Sequence, residues 1–288
     1  MYISRLYCNE RLHYSNSVVT DVASELQKLE ISAEQFEMEE KPFAGGGFGK
    51  VYKAKWGEKV VVIKAIKTEI GETKYDVWHE ADIILRLKHN NIVELFGIMR
   101  LQSDQFGIVM ELAEHGSLDE WIGKIDQDKT KMIALGVLDG LEYCHSKHVI
   151  HRDIKPPNIL MLGPEDDMIP KIADFGVSKV IETATATHTQ VGERLYMAPE
   201  VLMYGRYSFS ADIFSLTIML FEMFNEQLLR NSPVEVQHFI QRVHSGATDD
   251  IPKTCNVPKY LHSVIRRGWE QIPAQRPSLG DYRSALTG

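Results

Sequence analysis

The chain has 288 residues, 44% of them hydrophobic and 25% charged, a balance that excludes a disordered or fibrous protein. Its length is more than one small core spans, so two domains or lobes are predicted. A formal net charge of -8 argues against a nucleic-acid partner, whose phosphates call for a surplus of Lys and Arg.

Residues 1–35 form an extension with one predicted amphipathic helix: Val18, Val19, Val22, Leu26 and Leu29 fall on one face, and Asp21, Glu25 and Lys28 on the other. From Phe36 the pattern turns to short strands at 36–43, 49–56 and 59–66, with Gly57 and Glu58 as the hairpin turn between the last two. A helix is predicted over 74–87, from Val77, Ala81, Ile84 and Leu85, and strands over 92–99 and 105–111. The first three of these strands make an antiparallel meander. Beyond residue 111 the chain reads as mostly helical. Gly116 and Ser117 supply a turn and an N-cap before 118–122, and a buried helix ends near Tyr143. The run 212–224 has almost no polar face, which makes it the apolar axis of a helical lobe, and it is too short to span a membrane.

Cys8, Cys144 and Cys255 lie far apart with no CxxC pair, so neither a disulfide framework nor a zinc site is expected, and a reducing compartment follows. The first ten residues carry Arg5, Asn9 and Glu10 and no long apolar run. Neither a secretory signal nor a membrane contact is expected, and the default location is the cytoplasm.

The residues that carry chemistry occur in a fixed order. Phe43-Ala44-Gly45-Gly46-Gly47-Phe48-Gly49-Lys50-Val51 lies between two strands; its glycines let backbone N–H groups approach phosphate oxygens, and Val51 lies on the strand that would cover a base. Lys64 ends the apolar run 60–63, where a cation needs an anionic partner; Glu80 on the following helix is the natural one. Lys67 is three residues on and so faces the other side of the strand. In His151-Arg152-Asp153-Ile154-Lys155-Pro156-Pro157-Asn158, Asp153 is placed to accept a hydroxyl proton and Lys155 to neutralise a moving phosphoryl group. Asn158, with Asp174 of Asp174-Phe175-Gly176, is placed to hold Mg2+ through hard oxygen ligands.

This ordered set, closed by Ala198-Pro199-Glu200, resembles the protein kinase superfamily over residues 36–286. The resemblance implies an α+β bilobal fold, with a five-stranded antiparallel sheet and one helix in an N-lobe (36–112) and a mainly helical C-lobe (116–286). It implies ATP and Mg2+ as cofactors, with ATP between the lobes, and protein substrates. Val62 would roof the adenine, Met110 would be the gatekeeper beside a hinge including Glu111 and Ala113, and Leu160 would line the nucleotide site. Glu200 would pair with Arg276 and Asp212 would brace the catalytic loop. Lys155 resembles the Ser/Thr kinases, and 51–56, with Trp56 and a short hairpin, resembles the tyrosine-kinase-like group that includes the mixed-lineage kinases. Thr183, Thr185, Thr187 and Thr189 fall in the implied activation segment, where Arg152 offers a docking cation for a phosphate.

Four positions depart from the family pattern. Ala44 replaces a loop glycine, Val62 replaces the smaller alanine over the adenine, and Thr217 replaces a glycine after Asp212. Glu193 stands where Ser/Thr kinases carry threonine, close enough in the family's arrangement to pair with Lys155 and to raise the pKa of Asp153. The leading expectation is thus an ATP-dependent Ser/Thr protein kinase acting in signalling; the alternative is a pseudokinase or weakly active scaffold in which Glu193 occludes Lys155. A small-molecule phosphotransferase is disfavoured by Ala198-Pro199-Glu200 and Arg276. Oligomeric state is not read from the sequence.

Overall fold

The computed structural model describes residues 30–46, 49–67, 85, 87–102, 105–175, 194–229, 238, 242 and 255–288. The predicted helices over 18–29 and 74–87 therefore lie almost wholly outside the described residues. The chain divides into two units, Met1–Lys88 with Val93–Leu112 and His89–Ile92 with Ala113–Gly288.

In the first unit, β1 (Phe36–Met38), β2 (Ala44–Gly46), β3 (Gly49–Trp56), β4 (Lys59–Lys67), β5 (Leu95–Gln102) and β6 (Gln105–Glu111) build one antiparallel sheet. Its order is β1-β3-β4-β6-β5, with β2 also on β3. The expected strand 36–43 is interrupted. Residues 39–43 stand opposite only Tyr52 and Lys53, held by Glu39 N–H on the Lys53 carbonyl and Phe43 N–H on the Val51 carbonyl, both at 3.0 Å. Pro42, which has no N–H to give, sits in this bulge and breaks the ladder. Trp56 pairs with Lys59 across Gly57-Glu58, and Gly57 takes φ 59°, as a tight hairpin requires.

The strand expected at 92–99 begins instead at Leu95. Ile92 belongs to the second unit, where it bridges to Ile172, and the β5–β6 register slips between Leu95 and Gly97. Strand parity sorts the sheet's side chains. Ala54, Val61, Ile63, Met99 and Val109 form one buried cluster, rimmed by Ile31, Phe36, Met38, Trp56, Phe96 and Leu101. Val51, Val62, Lys64, Ile108 and Met110 therefore lie on the opposite face.

The second unit is mainly helical: α1 (Gln127–Ser146), α2 (Pro199–Tyr204), α3 (Phe209–Asn225), α4 (His262–Gly268) and α5 (Leu279–Thr287). The Asp126 side chain caps α1 by accepting the Lys129 N–H at 2.8 Å. The segment expected as a helix over 118–122 is a single 3-10 turn, Leu118–Glu120. A hairpin of β7 (Ile159–Leu162) and β8 (Ile169–Ile172), unforeseen in the sequence, turns at Gly163 with φ 87°. Four-residue strands are too short to show a period.

Helix α3 is the core of this unit: every residue from Ala211 to Phe224 is buried. Its two buried hydroxyls are both satisfied: Ser215 is shared between the Tyr196 carbonyl (2.7 Å) and the Ala211 carbonyl of the helix (3.2 Å), and Thr217 donates to the Ile213 carbonyl (2.6 Å). Thr217 also hydrogen-bonds Tyr282 Oη of α5. Gly268 of α4 provides the room, since a Cβ there would collide with both hydroxyls. The bulk of Thr217 and Tyr282 is thus accommodated by the absence of a side chain at 268. Gly268→Ala is expected to destabilise the protein by about 1 to 3 kcal/mol through overpacking, read as a lower thermal midpoint. The double variant Gly268→Ala, Thr217→Gly should recover part of the loss.

Candidate functional site

The site is best built from α3. Asp212, fully buried in its first turn, accepts hydrogen bonds from the backbone N–H groups of His151 (2.9 Å, Oδ2) and Arg152 (2.8 Å, Oδ1), and its Oδ2 lies 2.8 Å from His145 Nε2. Two of these bonds fix the loop backbone, and Arg152 is held at φ 72°, an unusual conformation for a residue with a Cβ.

His151 is fully buried. Its Nδ1 accepts the Asp153 N–H (3.2 Å) and its Nε2 donates to the Ala173 carbonyl (3.0 Å), a pairing that only the neutral ring with its proton on Nε2 satisfies. Burial pushes its pKa down, outweighing the carboxylates of Asp212, Asp153 and Asp174. The Phe175 ring lies against it, 4.6 Å between centroids. His151 thus ties the loop at Asp153 to the segment before Asp174.

Asp153, Lys155 and Asn158 are all buried. Lys155 Nζ lies 3.0 Å from Asp153 Oδ2, and Asn158 Nδ2 donates to the same oxygen (2.9 Å) and to the Asp153 carbonyl (2.8 Å). With its amino group committed to Asp153, Asn158 turns its amide oxygen elsewhere. The β7–β8 hairpin brings Asn158 to Asp174: Ile159 pairs with Ile172, and the Ala173 N–H donates to the Asn158 carbonyl at 2.9 Å. Asp174 follows at φ 62°. The pair therefore offers one amide oxygen and one carboxylate, a donor set that suits a hard cation which keeps water and phosphate oxygens as its other ligands. Among the described residues no group of three or more His, Cys, Asp or Glu could hold a metal by itself. Leu160, half-buried, lies on β7 opposite Lys171.

In the first unit, Lys64 stands opposite Val51 on one side and Ile108 on the other, and Val62 stands between Lys53 and Met110. Ala44, Gly45 and Gly46 of the glycine-rich run pair with Val51, Lys50 and Gly49. Phe43 is exposed, with Lys53 Nζ 5.1 Å from its ring centre. Glu111 Oε1 accepts the Glu94 N–H at 2.6 Å, and Ala113 is half-buried. Gly47, Phe48, Glu80, Gly176, Thr183, Thr185, Thr187, Thr189 and Glu193 lie outside the described residues.

The segment after the threonines is clamped to the helical unit. Arg276 forms a two-pronged pair with Glu200, 2.7 Å on each arm, donates to the Ser210 and Glu270 carbonyls (both 2.9 Å) and stacks on Phe214. A second clamp was missed in the sequence. Glu222, fully buried in α3, accepts Tyr196 Oη (2.7 Å) and the Leu229 N–H (2.8 Å), and Ser215 Oγ donates to the Tyr196 carbonyl (2.7 Å). The signal was present: a second carboxylate, after Asp212, in an otherwise largely apolar helix calls for a buried donor of its own.

Comparison with known proteins agrees with this arrangement. A family model described as a protein kinase domain matches residues 39–285. The chain belongs to the protein kinase family. It is similar to serine/threonine-protein kinase STY17 of Arabidopsis thaliana, with 30% identity over 279 residues, which is 95% of this chain and 47% of that protein. It is likewise similar to mitogen-activated protein kinase kinase kinase 7 of Homo sapiens, with 34% identity over 272 residues, 90% of this chain and 42% of that protein. Serine/threonine-protein kinase VIK of Arabidopsis thaliana matches at 28% over 262 residues, 84% of this chain and 57% of that protein. The chain spans about half the length of these curated relatives.

For this kinase-family chain, the neutral His151 has a consequence for stability. Its folded pKa lies below the ordinary value of 6.5, so above that value neither state binds the proton. As pH falls below 6.5 the unfolded chain takes up a proton that the folded one refuses, and stability drops by at most about 1.4 kcal/mol per pH unit until the folded pKa is reached. Chemical denaturation between pH 7 and pH 5 should show this loss. His151→Gln, which lacks the titration, should show a shallower pH dependence although it is less stable at pH 7.

Proposed function

We propose that the chain is an ATP-dependent protein kinase that transfers the terminal phosphoryl group of ATP to Ser or Thr hydroxyls of protein substrates, in cytoplasmic signalling. The observation that carries this reading is the convergence of the Lys155 ammonium and the Asn158 amide on one carboxylate oxygen of Asp153. The relatives named as serine/threonine-protein kinases support the Ser/Thr acceptor class. Residues 36–286 act as the kinase domain in this reading, and 1–35 as an extension to it.

Asp153 orients the acceptor hydroxyl and takes its proton as the oxygen attacks phosphorus. Lys155, paired with that carboxylate, sits where it also offsets charge on the moving phosphoryl group. Asn158 and Asp174 are the oxygen donors for Mg2+, which when bound neutralises the phosphate oxygens of ATP. Lys64, for which Glu80 is the proposed partner, holds the nucleotide's phosphates in this reading, with the glycine-rich backbone of 43–51 over them. Val62 and Met110, side by side on the β4–β6 ladder, and Glu111 are the first unit's adenine-site residues in this reading. Little covalent work falls to the protein, because alignment and charge neutralisation supply most of the acceleration in phosphoryl transfer.

Arg152 is proposed as the docking cation for a phosphate on Thr183, Thr185, Thr187 or Thr189. Glu193 is proposed to set the level of activity through its charge, and the scaffold reading stands as the extreme in which Glu193 occludes Lys155.

The direct test incubates the protein with Mg-ATP and a degenerate Ser/Thr/Tyr peptide library. Transfer to Ser and Thr peptides is expected, with Asp153→Asn lowering the rate at least about 100-fold. Equal label in both proteins, or label confined to Tyr, overturns the reading. Glu193→Thr should raise the rate of peptide phosphorylation; an unchanged rate and residue preference would remove the regulatory role of Glu193.

A further inference from the structure

The strands of the β7–β8 hairpin have four residues each, and a two-stranded hairpin of that size is marginal in water unless other elements hold it. Its β8 side is anchored to the helical unit. The Asn91 side chain donates to the Pro170 carbonyl and the Ile172 N–H donates to the Asn91 carbonyl, both at 2.9 Å, and Pro170 lies so close over Gly136 of α1 that a Cβ there would collide with it. Its β7 side is met by residues 115–117. The His115 N–H donates to the Met161 carbonyl (3.2 Å), the Met161 N–H donates to the Gly116 carbonyl (2.9 Å), and Ser117 bridges to Leu160. This second ladder is short, because Gly116, at φ 69°, leads the chain away into the 3-10 turn Leu118–Glu120.

The His115 side chain extends the ladder to the hairpin's far end. Its Nε2 lies 2.6 Å from the carbonyl of Gly163, the residue at which the hairpin turns, and since a carbonyl only accepts, Nε2 carries the hydrogen. Trp121 holds the same residue twice. Its Nε1–H donates to the His115 carbonyl (2.8 Å), and its ring meets the imidazole edge-on, 6.0 Å between centroids at 81°.

We propose that His115 is a positioning residue for the nucleotide base, tying residues 113–117 to the turn of the β7–β8 hairpin and so fixing the spacing of Ala113 and Leu160. The proposal rests on the phosphotransfer reading above, in which these two are the helical unit's adenine-site residues. Ala113 lies two residues before His115, and Leu160 bridges to Ser117 two residues after it, so a shift of this ladder would move one relative to the other. A flat, rigid base binds best between walls already in place, because a wall ordered only on binding lowers the affinity by the cost of ordering it. The effect is confined to ligands that carry the base.

The test titrates the full chain calorimetrically with adenosine, Mg-ATP and Mg-tripolyphosphate. His115→Leu should weaken adenosine and ATP by a common factor of about 2 to 10, the range of one net hydrogen bond, and leave tripolyphosphate within about twofold. In peptide phosphorylation it should raise KM for ATP by more than it lowers kcat. His115→Gln, whose amide nitrogen reaches about as far as Nε2 and also donates, should recover most of the loss. His115→Asn, whose amide is too short to reach Gly163, serves if the leucine variant does not fold.

Unchanged adenosine affinity in the leucine variant overturns the proposal. So does an equal loss for all three ligands, which marks a general loss of structure, or a glutamine variant no better than leucine. If the wild type binds none of the three, the nucleotide reading fails and the proposal falls with it; if it binds all three and the variants match it, the proposal fails alone.

Discussion

The geometry of the candidate site depends on the buried carboxylate of Asp212. A left-handed arginine costs about 1 to 2 kcal/mol, whereas a hydrogen bond to a charged acceptor contributes about 1.5 to 3 kcal/mol. Asp212 makes two such bonds to consecutive loop amides, so the strained loop is the favoured one. Once His151 and Arg152 are pinned, the rest follows in steps. His151 passes its constraint to Asp153 and to Ala173, and Asp153 gathers Lys155 and Asn158. Removing the carboxylate would leave two buried N–H groups without their acceptor and release the strain in the same event.

The first unit works by a different rule. There no single side chain dominates, and the period of the strand decides position. Because β4 is regular from Lys59 to Lys67, its odd-numbered residues Val61 and Ile63 go to one buried cluster, while Val62 and Lys64 face the other way beside Met110 and Val51. A slip of one residue would exchange the two sets. The apolar cluster, whose members are nearly fully buried, makes such a slip costly and so protects the placement of Lys64.

Much of this was legible in the chain. The hairpin at Gly57-Glu58, the parity of Lys64 and the apolar axis from Asp212 to Phe224 all rest on periods and turns that a local stretch of sequence contains. The β7–β8 hairpin was not, because its strands are too short to carry a period. The bulge at 39–43 was missed because Pro42 sits in a run that otherwise reads as strand.

The contacts between distant residues were the least legible. That Glu222 meets Tyr196, that Thr217 meets Gly268 and that Arg152 stacks on Tyr207 cannot be read from spacing, because each joins residues from separate elements. By itself the sequence determined the order of the motifs, the fold class and the identity of the charged groups, since these follow from residue type and local period. Only the tertiary structure decided which hydrogen bonds each group makes: the tautomer of His151, the two oxygens that hold Asn158 and the backbone angle of Arg152. Those depend on a carboxylate some sixty residues away, which folding brings to the loop and burial obliges to find donors.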